Sequence, residues 1–419
     1  MTGGDPNRVI EAVWRIEAGR VIAGLARLVG DVGLAEELAQ DALVIALEQW
    51  PQSGVPDNPG AWLMLTAKHR AIDLLRRRSR YEQKLEEVGR DQERRHADVD
   101  AEAALDDPFG DDVLRLLFTA CHPILSTEGR LALTLRLLGG LSTEEIARAF
   151  LVPEPTVGQR IFRAKRTLSE KQIKIELPPP AEIPARLASV LEVIYLIFNE
   201  GYAATAGTDW MRPSLCEDAL RLGRILVGLM PKETEVHGLV SLMELQMSRI
   251  AARTGPDGEP VLLLDQDRGR WDRLLIRRGL AALDRAESLG TLGPYGLQAA
   301  LAACHARALA PEETDWERMA ALYLVLGHVA PSPVVELNRA VAVSMAYGPA
   351  RGLEIVEGLR AEKALRDYPQ LPAVRGDLLA RLGRTAEAGK EFERAAELTR
   401  NERERTLFRR RADALQPDK

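Results

Sequence analysis

Cysteine is scarce in this chain: three residues in 419, at Cys121, Cys216 and Cys304. They lie far apart with no C-x-x-C spacing, which excludes a disulfide framework and a cysteine-based zinc site. Aromatic residues are thin too, at 5%, whereas Ala, Leu, Arg and Glu dominate; that balance favours helix over sheet. No apolar run approaches the roughly 18 residues needed to cross a bilayer. The most hydrophobic stretch, Val190 to Phe198, is short and is interrupted by Glu192. Asp5 and Glu11 sit in an N-terminal segment without a long apolar core. No signal peptide is therefore expected, and the expected compartment is the cytoplasm. The apolar fraction, 46%, is ordinary and excludes wholesale disorder. The length suggests two to four domains.

Positive charge is in deficit overall, at a net −6, which argues against a protein that coats nucleic acid indiscriminately. The average conceals blocks. Six basic residues between Pro56 and Arg80 (Lys68, Arg70, Arg76, Arg77, Arg78, Arg80) face only Asp57 and Asp73. Between Tyr81 and Asp112 twelve acidic residues outnumber four basic ones. From Pro155 to Lys174 six basic residues oppose Glu170 alone. Two cationic modules joined by an anionic connector are implied.

The first module, 7–80, reads as three or four helices. Leu34, Leu38, Ala42, Ile45 and Ala46 make an apolar stripe at helical spacing. The segment Trp50–Gly60, with Pro51, Pro56 and Pro59, is expected to be a loop. A helix resumes from Ala61 to Arg78, with Trp62, Leu65, His69, Ile72 and Leu75 as its expected inner stripe. The connector, 81–110, is read as a flexible linker with a frayed helix near Gln83–Gln92.

The second module, 111–175, reads as four short helices. Ser142 and Glu145 form an S-x-x-E capping box at the start of the third. After a short turn at Leu151–Glu154, Pro155 suits the first position of the fourth helix. Val157, Ile161, Ala164 and Leu168 are expected to face inward, and Gln159, Arg163 and Arg166 outward with Arg160 beside them. Two short helices, a tight turn and a cationic second helix read as a helix-turn-helix.

Pro178-Pro179-Pro180 breaks the chain. Residues 176–419 read as helical again. The turns Gly348-Pro349 and Gly383-Arg384 lie 35 residues apart within helix-turn-helix units, close to the tetratricopeptide period. Ser214–Glu217 offers another capping box, and Asn199-Glu200-Gly201 reads as a helix end with glycine in the left-handed region. Asp265, Asp267 and Asp272 are candidate metal or acid/base ligands. The favoured reading is structural: Asp267 caps the helix carrying Trp271, and Arg268 and Arg273 neutralise their neighbours. Cys121-His122 and Cys304-His305 are read as core residues. The expected class is all-α: two small helical modules followed by a tetratricopeptide-like solenoid.

Residues 8–175 resemble a bacterial RNA polymerase sigma factor of the extracytoplasmic-function group. Three segments in order carry the resemblance. Ala35-Glu36-Glu37-Leu38-Ala39-Gln40-Asp41-Ala42-Leu43 resembles region 2.1–2.2. Asn58-Pro59-Gly60-Ala61-Trp62-Leu63 with Ala67–Arg77 resembles regions 2.3–2.4, and Leu141–Leu168 resembles region 4.2. The tail resembles that of a subgroup with a C-terminal tetratricopeptide-like extension, through Asn199–Tyr202, Asp265–Arg268 and Gly293–Tyr295. His69 and Gly158 stand where relatives often carry Asn and a basic residue, so promoter preference does not transfer.

The resemblance implies a protein that binds core RNA polymerase and promoter DNA. Glu37, Gln40 and Asp41 are the candidates for docking on the β′ clamp helices, and region 4 is expected at the β flap. Asn58, Trp62, Lys68, Arg70, Arg76 and Arg77 are the candidates for the −10 element, where an extruded base needs a pocket and the displaced strand needs cations. Trp62 stays open between stacking platform and core. Thr156, Gln159, Arg160, Arg163, Lys165 and Arg166 are the candidates for the −35 duplex: Gln suits adenine, Arg and Lys suit guanine or phosphate, and Thr156 suits a phosphate at the helix N-terminus. The acidic connector suits the cationic RNA path of polymerase. No catalytic residue, metal, cofactor or membrane contact is expected, and the solenoid is expected to regulate in cis or hold a peptide partner. The alternative is a polymerase-independent helix-turn-helix regulator with a peptide-binding solenoid.

Overall fold

The computed structural model describes residues 6–88, 109–204, 209–256 and 258–415. Among them are eighteen α-helices and no strand beyond one isolated bridge, Thr254–Pro260. The chain divides into two compact units, Met1–Val193 and Ile194–Lys419.

In the first unit, α1 (Pro6–Val29), α2 (Val32–Ser53) and α3 (Pro59–Val88) form one bundle. Asp31 starts α2, its carboxylate accepting from the Leu34 N–H at 2.8 Å. The expected loop is shorter than proline content suggested, because α2 runs through Pro51 to Ser53 and stops at Gly54. The inner face of α3 also differs from the expected stripe. Leu63, Ala67 and Ala71 are buried, while Leu65 and His69 are exposed. Two alanines four residues apart let α3 approach its neighbours closely, so packing follows the small residues rather than the large ones. The connector residues 89–108 lie outside the described residues.

Next come α4 (Phe109–Ala120), α5 (Thr127–Leu137), α6 (Thr143–Phe150) and α7 (Glu154–Glu170). The capping box is formed: Ser142 Oγ accepts from the Glu145 N–H and Glu145 accepts from the Ser142 N–H, at 3.1 and 2.8 Å. Leu151 ends α6 in the left-handed region at φ 50°. Val157, Ile161, Ala164 and Leu168 are buried, as their spacing predicts. In α8 (Ile183–Tyr202), Arg186 donates to the Phe118 carbonyl and Ser189 to the Cys121 carbonyl, both at 2.7 Å. These bonds serve the unsatisfied C-terminal carbonyls of α4.

The second unit contains α9 (Pro213–Leu229), α10 (Thr234–Met247), α11 (Arg273–Leu289), α12 (Pro294–Arg307), α13 (Trp316–Val329), α14 (Pro333–Tyr347), α15 (Pro349–Leu359), α16 (Gln370–Arg381), α17 (Thr385–Leu398) and α18 (Glu402–Asp413). Three apolar clusters follow the chain. Leu245, Trp271 and Leu283 head the first, Leu301, Cys304 and Met319 the second. The third, around Val356, Leu379, Phe392 and Phe408, joins α14 to α18. Helix–turn–helix units appear at the expected turns, Gly348 and Gly383.

Candidate nucleic-acid and polymerase interface

On α2, Glu37 and Asp41 are exposed, and Gln40 is half-buried, donating to Glu36 Oε1 at 2.6 Å. Asp41 pairs with Arg70 of α3 at 2.5 Å, so one docking candidate and one −10 candidate touch. Asn58 is exposed and its Oδ1 accepts from the Ala61 N–H at 3.1 Å, a helix-capping contact for α3. Trp62 is half-buried with its ring edge-on to Trp50, centroids 5.3 Å apart and planes at 67°. That geometry favours packing over an open stacking platform. Lys68 is half-buried, while Arg70, Arg76 and Arg77 are exposed. The exposed line on α3 runs from Leu65 through His69 to Arg76.

On α7, Gln159, Arg163 and Arg166 are exposed and Arg160 and Thr156 are half-buried. Arg166 pairs with Glu170 one turn on, at 2.6 Å. A side chain at Gly158 would meet nothing within 4 Å, so the helix presents a gap there. Phe162 is 64% exposed, an apolar ring standing among cations. Lys165 differs from the rest. It is half-buried and its Nζ pairs with Glu36 of α2.

Glu36 is the residue that sequence reasoning missed. It is only 4% exposed. Its Oε1 accepts from Arg136 Nε of α5 at 2.6 Å while its other oxygen holds Lys165. Two further pairs join α1 to the second module: Arg15 with Glu145, and Arg27 with Asp112 at 3.3 Å. Burial pushes the Glu145 carboxyl up, but the Ser142 backbone N–H and the Arg15 guanidinium outweigh it, leaving the group below its ordinary value.

Residues 14–81 match the family described as sigma-70 region 2, and residues 115–168 match sigma-70 region 4. Over 174 residues the chain is 26% identical to the probable ECF RNA polymerase sigma factor SigI of Mycobacterium tuberculosis (strain ATCC 25618 / H37Rv). That match spans 41% of this chain and 58% of that protein. The chain belongs to the extracytoplasmic-function sigma factors. Its relation to an uncharacterised protein of Rhizobium meliloti (strain 1021) extends over nearly the whole length: 44% identity over 398 residues, 94% of this chain and 93% of that protein. Residues 186–287 match a family of unknown function, DUF6596, so this sigma factor carries a C-terminal extension with its own family signature.

Within that extension, two of the three acidic residues of the 265–272 segment, Asp267 and Asp272, act as caps. Asp267 accepts from the Gly269 N–H, and Asp272 accepts from Leu274 and Leu275 at the start of α11. Among the described residues no group of three His, Cys, Asp or Glu side chains is placed to hold a metal. Arg268 does not neutralise neighbouring acids. It is buried and donates to the carbonyls of His305 and Ala308, closing the C-terminus of α12. The other end of α12 is held by Glu235, whose carboxylate accepts from the N–H groups of Gly293, Tyr295 and Gly296 at 3.0, 2.8 and 3.0 Å. Gly201 lies inside α8 rather than ending it. A Cβ there would stand 2.8 Å from Cys216 N and 2.9 Å from Arg212 O, so close approach of backbone explains the glycine. Ser214 makes no cap; α9 begins at Pro213, whose fixed φ sets the start. No helix of the described residues is long and apolar enough to cross a membrane.

Proposed function

We propose that this sigma factor binds core RNA polymerase through the exposed acidic face of α2 and directs it to promoters with two recognition elements. The exposed line Leu65–His69–Arg76 on α3, with Arg70 and Arg77, faces the −10 segment. The exposed face of α7, with Gln159 and Arg163 and the half-buried Arg160 beside them, enters the major groove at −35. The observation that carries this reading is the pair of family matches, region 2 then region 4, on helices whose candidate DNA-facing side chains are mostly solvent-exposed. A helix presenting Gln and Arg at its solvent face has the donors and acceptors that base edges and phosphates require. The C-terminal helical unit regulates these modules in cis or receives a peptide partner, as extended helical surfaces do.

Purified full-length chain mixed with core RNA polymerase, followed by pull-down and run-off transcription on genomic fragments, tests the proposal. Co-purification with new start sites is expected. Duplex binding without polymerase binding would instead establish a polymerase-independent helix-turn-helix regulator. A shortened chain meant to isolate the sigma modules should retain residues up to Val193, because Arg186 and Ser189 complete the end of α4.

A further inference from the structure

We propose that the C-terminal unit carries a binding site for a small oxyanion, a carboxylate or a phosphate, built around Arg249, Arg268 and Trp271. The inference concerns that unit alone and goes beyond the polymerase and promoter reading. Two other arginines of the unit that lie largely out of solvent answer carboxylates: Arg212 pairs with Glu200, and Arg375 with Glu357 and Glu391. Arg249, Arg253 and Arg268 do not. Among the described residues no carboxylate forms an ion pair with any of the three. Yet Arg253 and Arg268 are buried and Arg249 is half-buried. Glu404 acts on Arg253, and Glu312 and Glu313 on Arg268, only from beyond ion-pair distance.

Aromatic rings hold the three cations together. Arg253 lies between Tyr202 and Trp210, its Cζ 3.6 and 4.3 Å from the ring centres. Arg268 and Arg249 share Trp271, at 4.9 and 5.9 Å. Ring faces offset part of each charge, but like charges this close repel, and burial removes the water that would screen them. Burial, and with it the Arg249 charge, lowers the Arg253 and Arg268 guanidiniums from their ordinary value. Donors are left over in the same place. Arg268 donates through Nη1 to the His305 and Ala308 carbonyls and through Nη2 to Thr314, while its buried Nε has no partner. The buried Trp271 Nε1 has none either. Arg249 donates through Nη2 alone, to Tyr202 Oη at 2.8 Å and to Gln246. Its Nε and Nη1 donate to nothing among the described residues. A buried donor left unmade costs its desolvation, and a buried cation without a counter-charge costs more. One oxyanion answers both deficits, because guanidinium and indole N–H groups donate to it and its charge opposes theirs. The site offered by the 265–272 segment is thus opposite in sign to the one its three aspartates suggest. Arg249, as the half-buried member, meets the ligand first; Arg268 and Trp271 lie too deep for the surface of a folded partner, which makes the ligand small.

Isothermal titration of the full-length chain tests the site. Sodium phosphate and sodium acetate are titrated separately at neutral pH, with ionic strength held constant by sodium chloride. Saturable binding of at least one, with a Kd on the order of 1 mM or tighter, is expected, and the two probes tell a phosphate site from a carboxylate site. Arg249→Gln removes the free donors at a half-buried position and should weaken binding roughly tenfold or more, with an unchanged urea midpoint in chloride alone. Arg409→Gln, at an exposed arginine of α18, should bind as wild type does. Tryptophan emission of the wild type should change over the same anion range, a readout that needs no variant. No saturation by either anion at millimolar concentration overturns the site. So does equal affinity in wild type and Arg249→Gln, or an equal loss in Arg409→Gln, which would reduce the binding to surface charge. None of these outcomes bears on the sigma factor reading, which the polymerase pull-down tests separately.

Discussion

Gln159 projects from the exposed face of α7 beside the gap at Gly158. An amide that pairs with one base edge confers preference at one position, whereas an arginine on phosphate contributes at every sequence alike. Gln159→Ala should therefore relax a single base pair of the −35 element, at a cost of about 1–3 kcal/mol in discrimination. Run-off transcription across a set of single-substituted promoters reads this directly, and equal loss on all of them would remove Gln159 from base recognition. The inward set of α7 was legible because four apolar side chains at helical spacing report a buried face without reference to anything distant. Glu36 was not legible. It sits in a run with Glu37 and Asp41 on one acidic helix, and nothing local separates the buried carboxylate from the exposed ones. What buries Glu36 is a pair of cations 100 and 129 positions further along. Trp62 was undecided for a similar reason: its packing depends on where Trp50 falls across a loop.

Turns decide how the helices of the C-terminal unit meet. Gly383 joins α16 to α17 at φ +78°, a conformation that costs an L side chain roughly 1–2 kcal/mol. Gly383→Ala should lower unfolding stability by about that amount, measured by urea denaturation with fluorescence. The neighbouring space is open, so the loss should reflect backbone strain rather than a clash. A larger loss comes from Phe392 of α17, which is 1% exposed and lies against Gly376; Phe392→Ala should cost about 3–5 kcal/mol in the same assay. These turns were readable because glycine marks positive φ in the sequence itself. The inner face of α3 was misread because large apolar residues were weighted above Ala67 and Ala71, which do the packing. The polar fastening of α12 was invisible to any local pattern: Glu235 holds its start and Arg268 its end, each from a distant part of the chain.

At the scale of the whole chain, stability acquires a pH dependence where a basic group is buried without its proton. His305 is 7% exposed, stacks edge-on to Trp316 at 5.3 Å, and is lowered to about 3 by burial, with Arg249 and Arg268 opposing its charge. Its unfolded form takes up a proton near its ordinary value of 6.5. Between those values the unfolded state binds more protons, so stability is full above pH 6.5 and falls as the pH drops toward 3. The slope from this one group is about 1.4 kcal/mol per pH unit. Urea midpoints of wild type and His305→Asn between pH 7 and about 4.5 should diverge accordingly, with the shallower dependence in the variant. Parallel curves would place the titration elsewhere.

The three cysteines have a consequence of another kind. All are buried, and burial raises the Cys121 and Cys216 thiols to about 12 and the Cys304 thiol in the same direction. At neutral pH almost none of this sulfur is thiolate, the form that peroxides and electrophiles attack. The folded chain therefore offers oxidants almost no cysteine thiolate to attack.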